Sequence, residues 1–214
     1  LVSVSAFAQP LQYPQTRKED VKDNYFGTTV SDPYRWLEDD NSAATAAWVD
    51  EENKVTFSYL EKIPFRDNIR KRLTTMWNYA KQGAPFKRGN YYFDYRNNGI
   101  QNQSVLYVRE GIDGTPRILI DPNTLSADGT TSLSEISLRP DGKYMAYNLA
   151  KAGSDWVEIH VMDVATGKEL GDVLHWIKFS TAAWKGDGFY YSHYPEPSKD
   201  QALSKKNTDN KVYY

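Results

Sequence analysis

Two of the chain's three histidines fall in the stretch HWIKFSTAAWKGDGFYYSHYP, residues 175 to 195, which also holds Ser180, Asp187 and Ser192. A hydroxyl, an imidazole and a carboxylate are the parts of nucleophilic acyl transfer: the imidazole removes the hydroxyl proton and the carboxylate orients the imidazole. Residue types alone do not make such a site, because the three groups must be brought within hydrogen-bonding reach by the elements that carry them. Here Lys185-Gly186-Asp187-Gly188 has turn composition and the flanking runs are aromatic-rich, so the stretch reads as strand, turn, strand. Asp187 then stands in a tight turn because Asp tolerates one. His175 precedes a strand and His193 ends one, on opposite sides of the turn. On this reading Ser180, His175 and Asp187 are not a catalytic unit.

The rest of the composition narrows the classes of function. There is no Cys among the 214 residues, which removes disulfides, thiolate nucleophiles and cysteine zinc sites. Three isolated His, none with a second at i+3 or i+4, argue against a structural metal, and no cofactor is expected. A formal charge of -2 with scattered Lys and Arg provides no basic stripe to neutralise phosphates, so nucleic acid is not an expected partner. No apolar run approaches the roughly 18 residues that a membrane helix needs; no membrane partner is expected and the mature chain should be soluble. The 16 Tyr and 6 Trp raise aromatics to 14% and favour strands.

The first residues, LVSVSAFAQP, differ from everything after them. Leu1 to Phe7 are apolar and small, and Ala6-Phe7-Ala8 has the small-x-small form of a signal peptidase site. Residues 1–8 are expected to be the remnant of an export signal, which points to a periplasmic or secreted protein, with the cytoplasm as the alternative.

Residues 9–80 read as an N-terminal extension with two amphipathic helices, roughly 40 to 63 and 65 to 80. Ser42 is the expected N-cap of the first, whose apolar face holds Ala44, Trp48, Val55, Tyr59 and Ile63. Pro64 suits the first turn of the second, with Ile69, Leu73, Met76, Trp77 and Ala80 on one face. From residue 81 to 214 the texture is short Tyr, Val and Ile runs broken by Gly, Asp, Asn and Pro. KRGNYYFDYRNNG, RPDGKYMAYNLAKAG and KGDGFYYSHYPEP form a repeat, each a polar turn closed by Gly89, Gly142 or Gly188 and then an aromatic-rich strand. The glycines lie 53 and 46 residues apart, close to the ~40 to 50 residue period of propeller blades. Further strands at 104 to 109, 117 to 121 and 156 to 164 fill the intervals. The fold class is therefore mainly β: a helical segment followed by the first blades of a β-propeller, about two units and part of a third. An open sandwich of about ten strands is the alternative. Since a propeller closes with ~4 to 8 blades, the chain is expected to be a fragment with an open edge.

The stretch YPQTRKEDVKDNYFGTTVSDPYRWLEDDNS, residues 13 to 42, resembles the start of the prolyl oligopeptidases, serine peptidases with a propeller ahead of an α/β-hydrolase domain. Asp32-Pro33-Tyr34-Arg35-Trp36-Leu37-Glu38-Asp39 matches that family's N-terminal signature. The resemblance continues through NNGIQNQSVLYVRE, LIDPNTLSADGTTSL and AGSDWVEIHVMDVATGKEL to the Lys178-Phe179-Ser180 segment. It covers about residues 11 to 214. The Asn-Gln-Ser-Val-Leu-Tyr and Leu-Ile-Asp-Pro-Asn segments look more like the proline-specific endopeptidases than the sister enzymes that cut after Lys or Arg. The family's nucleophile elbow, Gly-x-Ser-x-Gly, does not occur in this sequence.

The resemblance implies an intact protein that cleaves short peptides after proline through a Ser, His and Asp of its hydrolase domain, with backbone N–H groups holding the oxyanion. This chain would supply no catalytic residue. It would supply a cap that admits only short peptides, and part of the pocket wall. By the same match Phe179 lines the substrate pocket, against a plain reading as a blade-core aromatic. Asp155 faces the hydrolase domain and helps hold an Arg that grips the peptide, against a plain reading as a turn or capping Asp. The implied partners are short proline-containing peptides and the hydrolase domain of the same protein, in a monomer. A non-catalytic propeller scaffold remains the alternative from another class.

Overall fold

The computed structural model describes residues 11–198 and 206–214; the expected signal remnant at residues 1–8 lies outside them. The chain divides between Leu73 and Thr74 into two compact units. In the first, β1 (Lys22–Tyr25) and β2 (Thr28–Ser31) form an antiparallel hairpin. A 3₁₀ turn at Arg35–Glu38 follows, then α1 (Ala43–Glu61) and the start of α2 (Arg66–Trp77). The acidic and aromatic residues of the 32–39 octet tie this unit together. Arg35 is held by Asp32, at 2.5 Å, and by Asp23 of β1, while the Trp36 indole donates to the Arg17 carbonyl and lies under the Arg17 guanidinium.

Ser42 caps α1 as expected, its hydroxyl accepting from the Thr45 N–H at 3.1 Å. The apolar faces behave less simply. Trp48 and Val55 are half-buried, but Ala44 and Tyr59 of the expected α1 face are exposed, and Ile69, Leu73, Met76 and Trp77 of α2 are 49 to 64% exposed. Pro64 lies ahead of α2 rather than in its first turn, since the helix starts at Arg66.

The second unit is a run of antiparallel sheets. The first contains β3 (Lys81–Gln82), β4 (Phe86–Arg88), β5 (Tyr91–Asn97), β6 (Val105–Glu110) and β7 (Arg117–Ile120), with β3 and β4 both paired to β5. The second is a four-stranded meander of β8 (Thr131–Leu138), β9 (Tyr144–Lys151), β10 (Val157–Asp163) and β11 (Glu169–Ile177). The third holds β12 (Ala183–Lys185), β13 (Gly188–His193) and β14 (Lys211–Tyr213). The three aromatic runs of the sequence repeat are β5, β9 and β13, each the strand paired next to the opening edge of its sheet.

Burial along β9 shows how the sheets are arranged. Met145, Tyr147 and Leu149 point to one core, shared with Phe93, Leu106 and Val108 of the first sheet. Ala146 points to another, shared with Ile159, Ile177 and Ala182, against which Trp184 and Phe189 of the third sheet pack. Alternate residues of one strand thus face two different neighbours, so the middle sheet is covered on both sides. Successive sheets stacked face to face in chain order are propeller blades, not the two layers of an open sandwich.

One expectation about the opening stretch is corrected. His175 does not precede a strand but lies inside β11, because that outer strand runs nine residues to reach Ile177. Gly188 closes the turn of the third repeat as expected, pairing with Lys185 where β13 begins, and Gly186 is the glycine in that turn with a left-handed backbone, at φ 61°.

Candidate functional site

Each member of the tempting triad is committed elsewhere. The Ser180 hydroxyl accepts from the Ser192 N–H at 2.9 Å. His175 Nδ1 lies 3.3 Å from a Glu158 oxygen. Asp187 is 95% exposed and bonds Arg139 across to the neighbouring turn at 2.8 Å. His193 contacts the Tyr194 carbonyl through Nδ1 and packs against the Tyr213 ring. Among the described residues no group of acidic and imidazole side chains is placed to hold a metal ion.

What the stretch does build is a presented aromatic. Between β11 and β12 the chain passes through Lys178, Phe179, Ser180 and Thr181, and its two ends are fixed. Ile177 is fully buried. Beyond Phe179, the Ser180 carbonyl accepts from the Asn148 side chain at 3.0 Å and the Ala182 carbonyl from the Ser137 hydroxyl at 2.5 Å. Phe179 itself is 85% exposed, which rules out a blade-core role. Its backbone is left-handed, at φ 55°, and so is that of Trp176, at φ 60°. Bulky residues adopt that conformation at a cost on the order of 1 to 2 kcal/mol each. The surroundings therefore hold a large apolar ring outside the core by force of geometry.

Asp155 lies in the hairpin between β9 and β10, and with Phe179 it lines one open cavity of about 540 Å³. Asn148, Val157 and Ser180 form part of its floor. The Asp155 carboxylate stands 3.7 Å from the Lys178 ammonium. That ammonium also lies 4.7 Å from the Trp156 ring centroid and 5.9 Å from that of Phe179. The structure thus brings Phe179 and Asp155 together at one cavity, with Lys178 between Asp155 and the Trp156 ring beside it, two residues whose part the sequence does not disclose. The chemistry offered is recognition: an exposed aromatic face, a carboxylate and an open floor of mixed polarity, with no nucleophile and base in contact.

Stacked antiparallel meanders, with an exposed aromatic in the connection between the second and third sheets, define a β-propeller segment. The family model for the prolyl oligopeptidase N-terminal β-propeller domain matches residues 13–214, and the chain belongs to that family. It is 46% identical over its full length to a prolyl endopeptidase of Elizabethkingia meningoseptica and spans 32% of that relative's length. A Dictyostelium discoideum prolyl endopeptidase is 32% identical over 94% of the chain and 34% of its own length. Among solved structures, prolyl oligopeptidase B of Galerina marginata bound to a 35mer substrate superposes with a TM-score of 0.77, at 28% identity, over 97% of this chain and 32% of that one.

Proposed function

We propose that this chain is the propeller cap of a serine oligopeptidase that cleaves short peptides on the carboxyl side of proline. The observation that carries the reading is Phe179, a strained and outward-facing aromatic beside an open cavity. An apolar ring complements proline, which is itself apolar and lacks an N–H to satisfy. The commitment of Ser180, His175 and Asp187 to other bonds supports a division of labour in which an α/β-hydrolase domain of the same protein supplies the nucleophile, base and orienting acid. The blades would then admit short peptides and exclude folded ones. The residue types of the first eight positions support export to the periplasm or medium, and the working unit is a monomer.

The test uses the full gene product carrying this chain, assayed on short chromogenic peptides with proline, arginine or lysine before the scissile bond. Cleavage after proline is expected. Cleavage only after arginine or lysine would assign the sister specificity, and an intact, folded product that cuts none of them would leave a binding scaffold. Phe179→Ala should raise KM for the proline peptide by about five- to thirtyfold with kcat nearly unchanged. That range corresponds to losing part of the roughly 1.5 to 3 kcal/mol that burial of a Phe side chain provides.

A further inference from the structure

We propose that Lys178 is a positioning residue that sets the orientation of the Phe179 ring, coupling it to Asp155 and Trp156 of the neighbouring hairpin. The inference rests on the pocket-wall reading of Phe179 and deepens it. The two left-handed residues, Trp176 and Phe179, flank Ile177 and Lys178. Hydrogen bonds from Asn148 and Ser137 explain what anchors the chain after Phe179, but they fix backbone carbonyls and leave the direction of the ring open. The ring's charged neighbour is the Lys178 ammonium, at 5.9 Å from its centroid.

Lysine stems are usually draped over apolar surface with the head in water. The Lys178 side chain is only 15% exposed, so its charge needs compensation from the protein. Compensation comes from one side: the Asp155 carboxylate at 3.7 Å and the face of Trp156 at 4.7 Å. Trp156 is in turn held edge-on between Trp176 and Tyr194, at centroid distances of 5.7 and 5.8 Å. The ammonium therefore rests on a fixed platform, with the Phe179 ring centroid 5.9 Å away. Moving that ring away would cost the ammonium its contact with the ring face while the carboxylate and indole stay attached. Asp155 acts at the cavity through this bridge, by keeping Lys178 in place.

The test is a double-mutant cycle in the full gene product, with a short proline peptide as substrate. Lys178→Met keeps the stem and removes the charge; it should raise KM three- to tenfold while kcat stays within a factor of two. Lys178→Arg, whose guanidinium also stacks on indole, should restore KM to within a factor of two of the parent. Lys178→Met combined with Phe179→Ala should be no worse than Phe179→Ala alone, because the lysine acts only through the ring. KM ratios that multiply would overturn the proposal, since a general loss of structure adds to any other defect. A second readout is independent of activity: fluorophenylalanine at position 179, followed by fluorine NMR. Its resonance should move towards the position of the free amino acid in Lys178→Met, and an unmoved resonance would overturn the proposal. If Phe179→Ala leaves KM unchanged, the pocket-wall reading falls, while the fluorine shift still decides what Lys178 does.

Discussion

Replacing Gly89 with alanine is expected to destabilise the propeller segment by about 2 to 4 kcal/mol, far more than a surface turn substitution normally does. Gly89 opens the two-residue turn between β4 and β5, where Arg88 pairs with Tyr91. It has φ 55°, which costs any other residue roughly 1 kcal/mol or more. The larger contribution is steric. A Cβ at Gly89 would lie 1.9 Å from the carbonyl oxygen of Asp141, in the β8–β9 turn of the next blade. The contact is reciprocal, since a Cβ at Gly142, itself at φ 76°, would lie 2.5 Å from the Arg88 carbonyl oxygen. Both obstacles are backbone atoms, so no rotamer change relieves them and the two turns must separate. Gly111→Ala is the control: its φ is 68° but nothing lies within 4 Å of the added carbon, so only the conformational cost applies. Thermal midpoints of the two variants should differ clearly, with Gly89→Ala the lower. Equal losses would mean that the blades are not keyed together at these turns.

The same two glycines show what the sequence could disclose. Gly89 and Gly142 are visible as punctuation before aromatic runs, and that pattern located β5 and β9 because turn chemistry and strand composition are local properties. Their interlocking is not local: it joins residues about fifty positions apart through backbone atoms that carry no side-chain signature. The third repeat reads correctly as a turn over residues 185 to 188 and a strand after it, but Lys185-Gly186-Asp187-Gly188 offers two glycines, and composition does not say that Gly186 is the left-handed one.

The candidate site divides in the same way. Phe179 and Asp155 follow from the family resemblance, not from spacing, and neither has a motif that chemistry alone would single out. Lys178 was legible only as a neighbour of Phe179. Its contact with Trp156 depends on the β9–β10 hairpin folding beside the end of β11, a tertiary fact. His175 was misplaced outside its strand because β11 is nine residues long and is interrupted by irregular pairing with β10, which disrupts the alternation that marks a regular strand. The exposed α2 residues Ile69, Leu73, Met76 and Trp77 were legible as an apolar face, since helical periodicity survives whether or not a partner covers it.

The other large effect is expected at Asp94, which the sequence did not mark at all. It lies in β5 between Phe93 and Tyr95, pointing away from the core that those two help to build, and is 1% exposed. A carboxylate so buried must be satisfied. Arg96 donates to it through Nε at 2.5 Å and through a terminal nitrogen at 3.2 Å, and the Gln82 amide donates at 3.0 Å. The Arg96 guanidinium also covers the Tyr107 ring at 4.5 Å. The hydrogen bonds from Arg96, outweighing desolvation, hold Asp94 below the usual carboxylate range. Asp94→Asn keeps the shape but leaves Arg96 without its counter-charge. Breaking a buried pair this way typically costs 3 to 5 kcal/mol, and the partial exposure of Arg96 favours the lower end, about 3 kcal/mol. The sign with pH follows from the depressed value. The unfolded chain takes up the proton at about pH 3.9, the folded protein only at lower pH, so this carboxylate's contribution is complete above that point and is lost as pH falls through the folded value. Parent and Asp94→Asn should therefore differ fully at pH 7 and converge below about pH 4, while the remaining carboxylates titrate alike in both and cancel. Chemical unfolding across that range decides it. A gap that stays constant with pH would show that the loss is one of packing, and that the Asp94–Arg96 pair does not stabilise the first sheet by charge.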